Sequence, residues 1–117
     1  MNPVDEKPED VVQRQLEAYN AHDLEGFVAT YGDAVQVFLM PNSDPVISGK
    51  AALAGHYGSK VFTLTGHRAE ILGRIAVGSN VIDHERVYGL RPEPFDAVAV
   101  YDVRDGLIQT VWLYGTD

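Results

Sequence analysis

The sequence contains no cysteine. Without thiols the chain can form no disulfide framework, no thiolate nucleophile and no metal site with Cys ligands. Histidine is the other common ligand of transition metals, but the four histidines are not spaced as a pair such as H-x-x-x-H. We therefore expect neither a metal site nor any other cofactor.

Basic residues are scarce as well. Nine Lys and Arg stand against 17 Asp and Glu, and the formal net charge is −8. The basic residues lie scattered from Lys7 to Arg104 without a cluster. Because nucleic acids and anionic membranes are bound through basic patches, the composition argues against both as partners.

Long apolar runs are also missing. No run approaches the roughly 20 residues of a membrane span, and the first ten residues, M-N-P-V-D-E-K-P-E-D, lack the apolar segment of a signal peptide. A cytoplasmic location is the expectation. The length of 117 residues and the 45% hydrophobic content suit one globular domain. We expect a loose arm over residues 1–8 and a single domain over residues 9–117.

Helical spacing of apolar residues marks the N-terminal third. After Glu9, apolar residues recur at i, i+4 and i+7, which predicts a first helix. A second, short helix is predicted to begin after an N-cap at Asp23 or Asn20, to carry Tyr31 and to end at Gly32-Asp33. A third is predicted to follow Gly49-Lys50.

The remainder of the chain is predicted to be mostly β. V-Q-V-F-L-M at 35–40 indicates a strand, and residues 46–48 a brief return strand. Residues 78–80 and 104–106 carry hairpin signals that join neighbouring strands. The later strands are predicted at 61–65, 68–77, 80–90, 95–104 and 107–114. Helices followed by antiparallel strands indicate an α+β fold whose sheet curls over the helices.

Three stretches carry a resemblance to a known family. V-V-Q-R-Q-L-E-A-Y-N-A-H-D-L-E-G-F-V-A-T-Y-G-D (11–33) resembles the first two helices of ketosteroid isomerase and its SnoaL-like relatives, in the nuclear transport factor 2-like superfamily. S-D-P-V-I-S-G-K-A-A-L (43–53) resembles the family's turn, short strand and third helix, and V-A-V-Y-D-V-R-D-G-L-I-Q-T-V-W-L-Y-G (98–115) its last two strands. The resemblance implies a cystatin-like cone, with three N-terminal helices packed on a strongly curved antiparallel sheet.

The same resemblance implies where an isomerase would carry its catalytic groups. The family's first-helix Tyr falls at Gln15, with Tyr19 four residues further on. Its general-base Asp falls within residues 38–40, which are Phe, Leu and Met, and its oxyanion-binding Asp falls at Ala97 or Ala99. A steroid Δ-isomerase needs a carboxylate base beside the substrate carbon. The resemblance therefore argues against that reaction.

The strand segment I-D-H-E-R-V-Y (82–88) is the remaining candidate for chemistry. Side chains alternate faces along a strand. One face carries Val81, Asp83, Glu85 and Val87; the other carries Ile82, His84, Arg86, Tyr88 and Leu90. The second set is bulkier and more aromatic, so we predict that it lines the concave interior.

On that prediction the catalytic residues are His84 as general acid or base, Arg86 as the group that orients an anion, and Tyr88 as a donor to an oxyanion. E-R-V-Y also resembles the E-R-x-D strand of limonene-epoxide-hydrolase-like members, although Tyr88 replaces the Asp. The alternative is that His84 and Arg86 lie on an outward or dimer-facing surface and pair with Asp83 and Glu85 of adjacent strands.

Aromatic and apolar residues predict a pocket for an apolar small molecule. By resemblance, Ile108, Thr110, Trp112 and Tyr114 share the inward face of the last strand, whereas His56 is expected to be solvated. The expected ligand-binding residues are Gln15, Tyr19, Phe27, Tyr31, Phe38, Met40, Tyr57, Phe62, Ala99, Tyr101, Trp112 and Tyr114.

Three functions fit these observations. The first is a SnoaL-like enzyme that applies acid–base chemistry to an apolar carbonyl, hydroxylated or polycyclic substrate. The second is a noncatalytic small-ligand binder. The third is an interaction domain that forms a homodimer through the sheet, as relatives commonly do, with Val81, Val87, Val98 and Val100 supplying apolar contact.

Overall fold

The computed structural model describes residues 6–115. In chain order the elements are α1 (Pro8–Asn20), α2 (Leu24–Val28), β1 (Tyr31–Leu39), β2 (Ile47–Ser48), α3 (Lys50–His56), a π-helix (Tyr57–Val61), β3 (Arg68–Val77), β4 (Asn80–Tyr88), β5 (Phe95–Arg104) and β6 (Leu107–Tyr114). The predicted strands at 68–77, 95–104 and 107–114 are confirmed, and the strand predicted at 80–90 ends at Tyr88.

Local sequence explains where the first two helices begin. Pro8 occupies the first turn of α1, where its missing N–H costs nothing, and the backbone N–H of Lys7 donates to Asp10 at 3.3 Å. The Asp23 side chain accepts a hydrogen bond from the Gly26 N–H at 3.1 Å, so the predicted N-cap of α2 is confirmed.

Two predictions about local structure are wrong. The second helix ends at Val28, and Tyr31 begins β1 instead of lying on the helix. Residues 61–65 form no strand, because the π-helix continues α3 through Val61 and turns follow it. The predicted arm of residues 1–8 lies outside the described residues up to position 5, and its last residue, Pro8, belongs to α1.

The six strands form one sheet in the order β2-β1-β6-β5-β4-β3. Neighbouring strands are antiparallel except β1 and β6, which run parallel. The helices lie against one face of this sheet, here called the inner face; the opposite face is called the outer face. The predicted α+β fold is confirmed, and the sheet is open, with β2 and β3 at its edges.

The hydrophobic core lies between the helices and the inner face. Its largest fully buried side chains are those of Phe27, Leu53 and Ile108. Core residues of β5 alternate along the strand, as expected for a sheet buried on one side. The buried apolar residues of β5 are Ala97, Ala99, Tyr101 and Val103.

Two β-bulges change which side chains face inward. In β3 the pairing with β4 passes from Ile71–Glu85 to Gly73–His84, so Leu72 is an extra residue. In β6 the pairing with β5 passes from Asp102–Thr110 to Val103–Ile108, so Gln109 is extra. An extra residue reverses the alternation beyond it. A strict alternation of inner and outer residues, counted from one end of the strand, therefore assigns residues beyond each bulge to the wrong face of the sheet.

Within residues 6–115 no helix is long and apolar enough to cross a membrane. The same residues include no group of three or more His, Asp or Glu placed to hold a metal ion. The cytoplasmic location and the absence of nucleic-acid partners stay predictions from composition.

Candidate functional site

A cavity of about 280 Å³ lies between the helices and the inner face of the sheet. Its wall is mostly apolar and aromatic, and a few polar side chains converge on it, as in ligand sites generally. The lining residues are Gln15, Leu16, Tyr19, Tyr31, Val37, Leu39, His56, Tyr57, Val61, Ala69, Asp83, Glu85, Val87, Leu90, Arg91, Phe95, Tyr101, Val111 and Leu113.

Glu85 is the central polar group of this cavity. It stands on the inner face of β4, and among the described residues its carboxyl group has no hydrogen bond or ion pair. Burial, with a smaller contribution from the nearby charge of Asp83, raises its pKa from 4.5 to about 7. A carboxyl group with this pKa exchanges protons readily near neutral pH.

Asp83, two residues before Glu85 on the same face, is only 1% exposed. Its carboxylate accepts two hydrogen bonds from Arg74 of β3, from Nε at 2.6 Å and from Nη2 at 2.9 Å. The third guanidinium nitrogen, Nη1, donates to the Gln13 side chain of α1 at 2.9 Å. Hydrogen bonds to β4 and to α1 therefore fix the guanidinium group of Arg74, and its positive charge balances the negative charge of Asp83.

Four tyrosines complete the polar part of the cavity wall, and burial raises the pKa of each. It raises the pKa of Tyr57 to about 12, and it also raises the pKa values of Tyr19, Tyr31 and Tyr101 well above the ordinary tyrosine value. A hydrogen bond with Gln15 offsets a small part of the rise at Tyr31. At neutral pH these hydroxyl groups are protonated, so they can donate hydrogen bonds to a ligand oxygen.

The π-helix brings Tyr57 and Val61 to the same cavity wall. π-helical turns are rare and occur mostly at functional sites. The Tyr57 ring also packs against Phe27, with ring centroids 4.7 Å apart, and against Tyr19 at 6.2 Å. This aromatic packing fixes the orientation of both tyrosines.

The rim of the cavity is formed by residues after β4, by the first residue of β5 and by the end of α3. The guanidinium carbon of Arg91 lies 3.9 Å from the centroid of the Phe95 ring. Leu90 and His56 are exposed but reach the cavity. Partial burial and the charge of Lys60 lower the pKa of His56.

The predicted inward position of His84, Arg86 and Tyr88 is wrong. All three lie on the outer face, where Asp96 accepts hydrogen bonds from Arg86 Nε at 2.8 Å and from His84 Nε2 at 3.0 Å. The Tyr88 hydroxyl donates to Glu70 at 3.1 Å. The prediction chose the face with the larger side chains. It was wrong because the ion pair with Arg74 allows Asp83 to lie on the inner face of β4. The alternative given with the prediction is right about the outward surface for His84 and Arg86, but their acidic partner is Asp96 of β5 and not Asp83 or Glu85.

The inward position predicted for Trp112 and Tyr114 is also wrong. Ile108 does face inward, but the bulge at Gln109 reverses the alternation, so that Val111 and Leu113 line the cavity. Trp112 instead stacks on Phe38 across the outer face, with ring centroids 6.5 Å apart.

The other residues expected at the ligand divide into two groups. Gln15, Tyr19, Tyr31, Tyr57 and Tyr101 line the cavity. Phe27 and Ala99 are fully buried in the core, Phe62 packs against that core, and Met40 and Phe38 also lie outside the cavity lining. Ligand binding by the residues of the first group stays a prediction.

Sequence reasoning missed the polar lining residues Asp83, Glu85, His56 and Arg91, and it also missed Arg74, which pairs with Asp83. A signal was present, since the face that carries the two acids also carries Val81 and Val87, which are buried. Branched apolar residues at both ends of one strand face indicate that the whole face is buried. No sequence signal marks Arg74, because its inward position depends on the bulge at Leu72.

Helices packed on one face of an open sheet, with an ionisable carboxyl group inside the cavity between them, define a small α+β domain built around an internal cavity. The SnoaL-like domain family matches residues 12–111. The chain belongs to this family, and the resemblance inferred from the sequence is confirmed.

Solved structures show the same fold. An uncharacterised cystatin-fold protein from Novosphingobium aromaticivorans is 25% identical, with a TM-score of 0.82 over 92% of this chain and 97% of that one. A protein from Kribbella flavida, proposed to be a ketosteroid isomerase, is 19% identical, with a TM-score of 0.79 over 92% and 76%. A computationally designed 17-OHP binder is 20% identical, with a TM-score of 0.79 over 93% and 94%. No curated protein matches the chain.

Proposed function

We propose that the protein is a SnoaL-like enzyme that moves a proton on an apolar small molecule carrying a carbonyl or hydroxyl group, with Glu85 as the acid–base group. The observation that carries this proposal is the Glu85 carboxyl group, which faces the cavity, has no partner among the described residues and has its pKa raised to about 7. Unpaired buried carboxyl groups are costly to keep, so their retention favours a role in chemistry.

The reaction follows from the groups around the cavity. The Glu85 carboxylate takes a proton from a carbon beside the substrate carbonyl, and the electron pair of that C–H bond moves to the carbonyl oxygen. A tyrosine hydroxyl donates a hydrogen bond to the resulting oxyanion. Protonated Glu85 then returns the proton to another atom of the same molecule. The balance is a shift of one proton, and no other reactant is consumed.

The charges of the wall favour a neutral substrate. Asp83 and Glu85 place negative charge on the inner wall, which disfavours an anionic group there. The neutral hydroxyl groups of Tyr19, Tyr31, Tyr57 and Tyr101 suit a carbonyl or hydroxyl oxygen. A volume of about 280 Å³ lies near the lower end for ligand pockets, about 300–1,000 Å³. One small ring system fits this space better than an extended chain.

The test is a panel of neutral cyclic ketones and enones assayed for proton exchange in deuterated water and for isomerisation. Wild type is expected to exchange the proton beside the carbonyl, with kcat/KM rising as the pH increases through about 7 because the base must be ionised. Glu85→Gln keeps the shape and removes the base, so we expect a loss of at least about 100-fold. His84→Ala, on the outer face of the same strand, is the matched control. Equal rates in wild type and Glu85→Gln would refute the proposal.

A noncatalytic binder is the second candidate, and the largely apolar wall is the observation that favours it. The two functions differ in one measurement. A binder releases its ligand unchanged, with no deuterium incorporated, and Glu85→Gln binds it as tightly as wild type or more tightly. Ligand binding by calorimetry, followed by mass analysis of the released ligand, distinguishes the two.

The outer face supports the predicted homodimer. Ile75, Ile82, Val100, Trp112 and Phe38 are successive cross-strand partners from β3 to β1, and they form an apolar row across five strands. Ile75 is 61% exposed. A row of this kind favours association with a second copy through the sheet.

Two of the four valines predicted at this dimer contact are wrong, because Val81 and Val87 are buried on the inner face, whereas Val98 and Val100 lie on the outer face. Sedimentation at micromolar concentration is expected to show a dimer that Ile82→Lys converts to a monomer. Val46→Lys, at an exposed apolar residue outside the sheet, is the control. A monomeric wild type would contradict the assignment.

A further inference from the structure

Asp83 provides the second carboxyl group of the cavity, next to Glu85. The inference drawn from it rests on the proposed function of Glu85. Asp83 and Glu85 stand on the same face of β4, two residues apart, so their Cα atoms are separated by about 7 Å. Both line one cavity. Yet Asp83 is held by two hydrogen bonds from Arg74, whereas Glu85 has no partner among residues 6–115.

We propose that Arg74 and Asp83 form a positioning pair that fixes a negative charge beside Glu85, the carboxyl group that exchanges the proton. The guanidinium group donates one hydrogen bond to each Asp83 oxygen and holds the carboxylate in one orientation. The fixed negative charge of Asp83 then favours the protonated form of its neighbour. The pair acts on the reaction only through Glu85.

The bulge at Leu72 is what places Arg74 in this pair. With regular pairing beyond Ile71–Glu85, residue 73 would stand opposite Asp83, and Arg74 would point to the outer face. The extra residue moves Arg74 into register with Asp83 and turns it inward. On the helix side, Gln13 accepts from Nη1 at 2.9 Å and limits the freedom of the guanidinium group.

Charged and titratable groups line the cavity from most of the elements packed around Glu85. Asp83 is the one whose charge contributes to the raised Glu85 pKa, after burial. Arg74 lies beyond Asp83 and is not among the causes of that rise. The charged and titratable groups that line the cavity with Glu85 are Asp83 from β4, Tyr19 from α1, Tyr31 from β1, His56 from α3, Tyr57 from the π-helix, Tyr101 from β5 and Arg91 from the rim. Arg74 of β3 contacts Asp83.

The decisive variant is Asp83→Asn. It removes the negative charge next to Glu85 and leaves the positive charge of Arg74, and both changes favour ionised Glu85. We expect the pKa of Glu85 to fall by on the order of one pH unit, which is the scale of the Coulomb energy between charges on neighbouring same-face residues in a partly buried site. The acid limb of the pH profile of kcat/KM moves to lower pH by the same amount.

A second variant keeps the test valid if the unpaired Arg74 prevents folding. Asp83→Asn combined with Arg74→Gln leaves no buried charge without a partner. Because Asp83 is nearer to Glu85 than Arg74 is, the pKa of Glu85 still falls, by less than in the single variant. Asp96→Asn, which removes an acid from the outer face of β5, is the control and leaves the profile in place.

The measurement is the titration of the Glu85 carboxyl carbon by NMR, together with the pH profile. The titration needs no substrate, so it tests the pair even if the protein turns over none of the compounds assayed. A fall of the Glu85 pKa in both Asp83 variants, with none in Asp96→Asn, supports the pair. An unchanged or raised Glu85 pKa in a folded Asp83 variant overturns it. Loss of turnover in Glu85→Gln tests the enzymatic function separately.

Discussion

The side chain of Asn20 forms a pair of hydrogen bonds with the backbone of Ala69. Its Oδ1 accepts from the Ala69 N–H at 2.8 Å, and its Nδ2 donates to the Ala69 carbonyl at 2.9 Å. The last residue of α1 is thereby joined to the second residue of β3, where Ala69 lines the cavity. This contact sets the distance between the helix and the sheet at one side of the pocket.

Asn20→Ala is expected to lower the free energy of unfolding by roughly 2 kcal/mol, since two partly buried hydrogen bonds are lost at about 1 kcal/mol each. Denaturant unfolding measures this. Asn42→Ala, at an exposed turn residue, is expected to change stability by less than about 0.5 kcal/mol. Equal stability of the two variants would contradict the structural role of Asn20.

Glu85→Gln is expected to stabilise the protein above neutral pH while it abolishes turnover. The folded pKa of Glu85, about 7, lies above the ordinary value of 4.5. Between these two pH values the folded state keeps a proton that the unfolded state has lost, so the wild-type stability falls as pH rises through this window and is level above it. Glu85→Gln has no titrating group at this position, so its stability does not fall in this way as the pH rises.

The size of this effect follows from the same two values. The gain at pH 8 is about 3 kcal/mol at most, and it vanishes below about pH 4. Denaturant unfolding of both proteins from pH 4 to pH 8 measures it. A constant difference across this range would show that Glu85 titrates alike in the folded and unfolded states.

Gly89→Ala is expected to destabilise the rim of the pocket. Gly89 has φ of +87°, and a Cβ there would lie 2.5 Å from the Gly66 carbonyl carbon and oxygen. Backbone cannot yield as a flexible side chain can, so the cost exceeds the roughly 1–2 kcal/mol of the left-handed conformation alone. Gly106→Ala has a similar φ of +73° and open space around it, so it measures the conformational cost by itself. Thermal unfolding of the two variants compares them.

Tyr57→Phe is expected to lower kcat by about 100-fold with a smaller change in KM, because the hydroxyl group binds the oxyanion more strongly than the ground-state carbonyl. The phenyl ring that remains keeps the packing against Phe27. Tyr114→Phe, at a 43% exposed residue of the outer face, is the matched control. A rise in KM alone would assign Tyr57 to binding rather than to the chemical step.

Much of the fold could be predicted, because its determinants are local. The N-cap at Asp23 and the turn at Arg104-Asp105-Gly106 each have a sequence signature, and the structure carries both features where they were predicted. The resemblance then supplied the arrangement of these elements. The end of α3 could not be predicted, since apolar residues at 61–65 suit a strand and a helical turn equally.

The candidate site was predicted less well, because it depends on which face each strand buries. Tyr19 and Tyr57 reach the cavity from helical elements, where periodicity locates the buried side. On β4 the inner face was predicted from the size of the side chains. That prediction was wrong, because the ion pair with Arg74 allows Asp83 to be buried on the opposite face. A cross-strand ion pair that depends on a bulge cannot be predicted from the alternation of polar and apolar residues in either strand.

The bulge at Leu72 has a consequence for sequence comparison. A relative that lacks one residue at this point would pair its strands regularly and would still present the residue equivalent to Arg74 opposite that equivalent to Asp83. An alignment of the family should therefore place a one-residue gap at Leu72. A gap placed elsewhere in the strand would exchange its inner and outer residues and would misassign the ion-pair partner of Asp83.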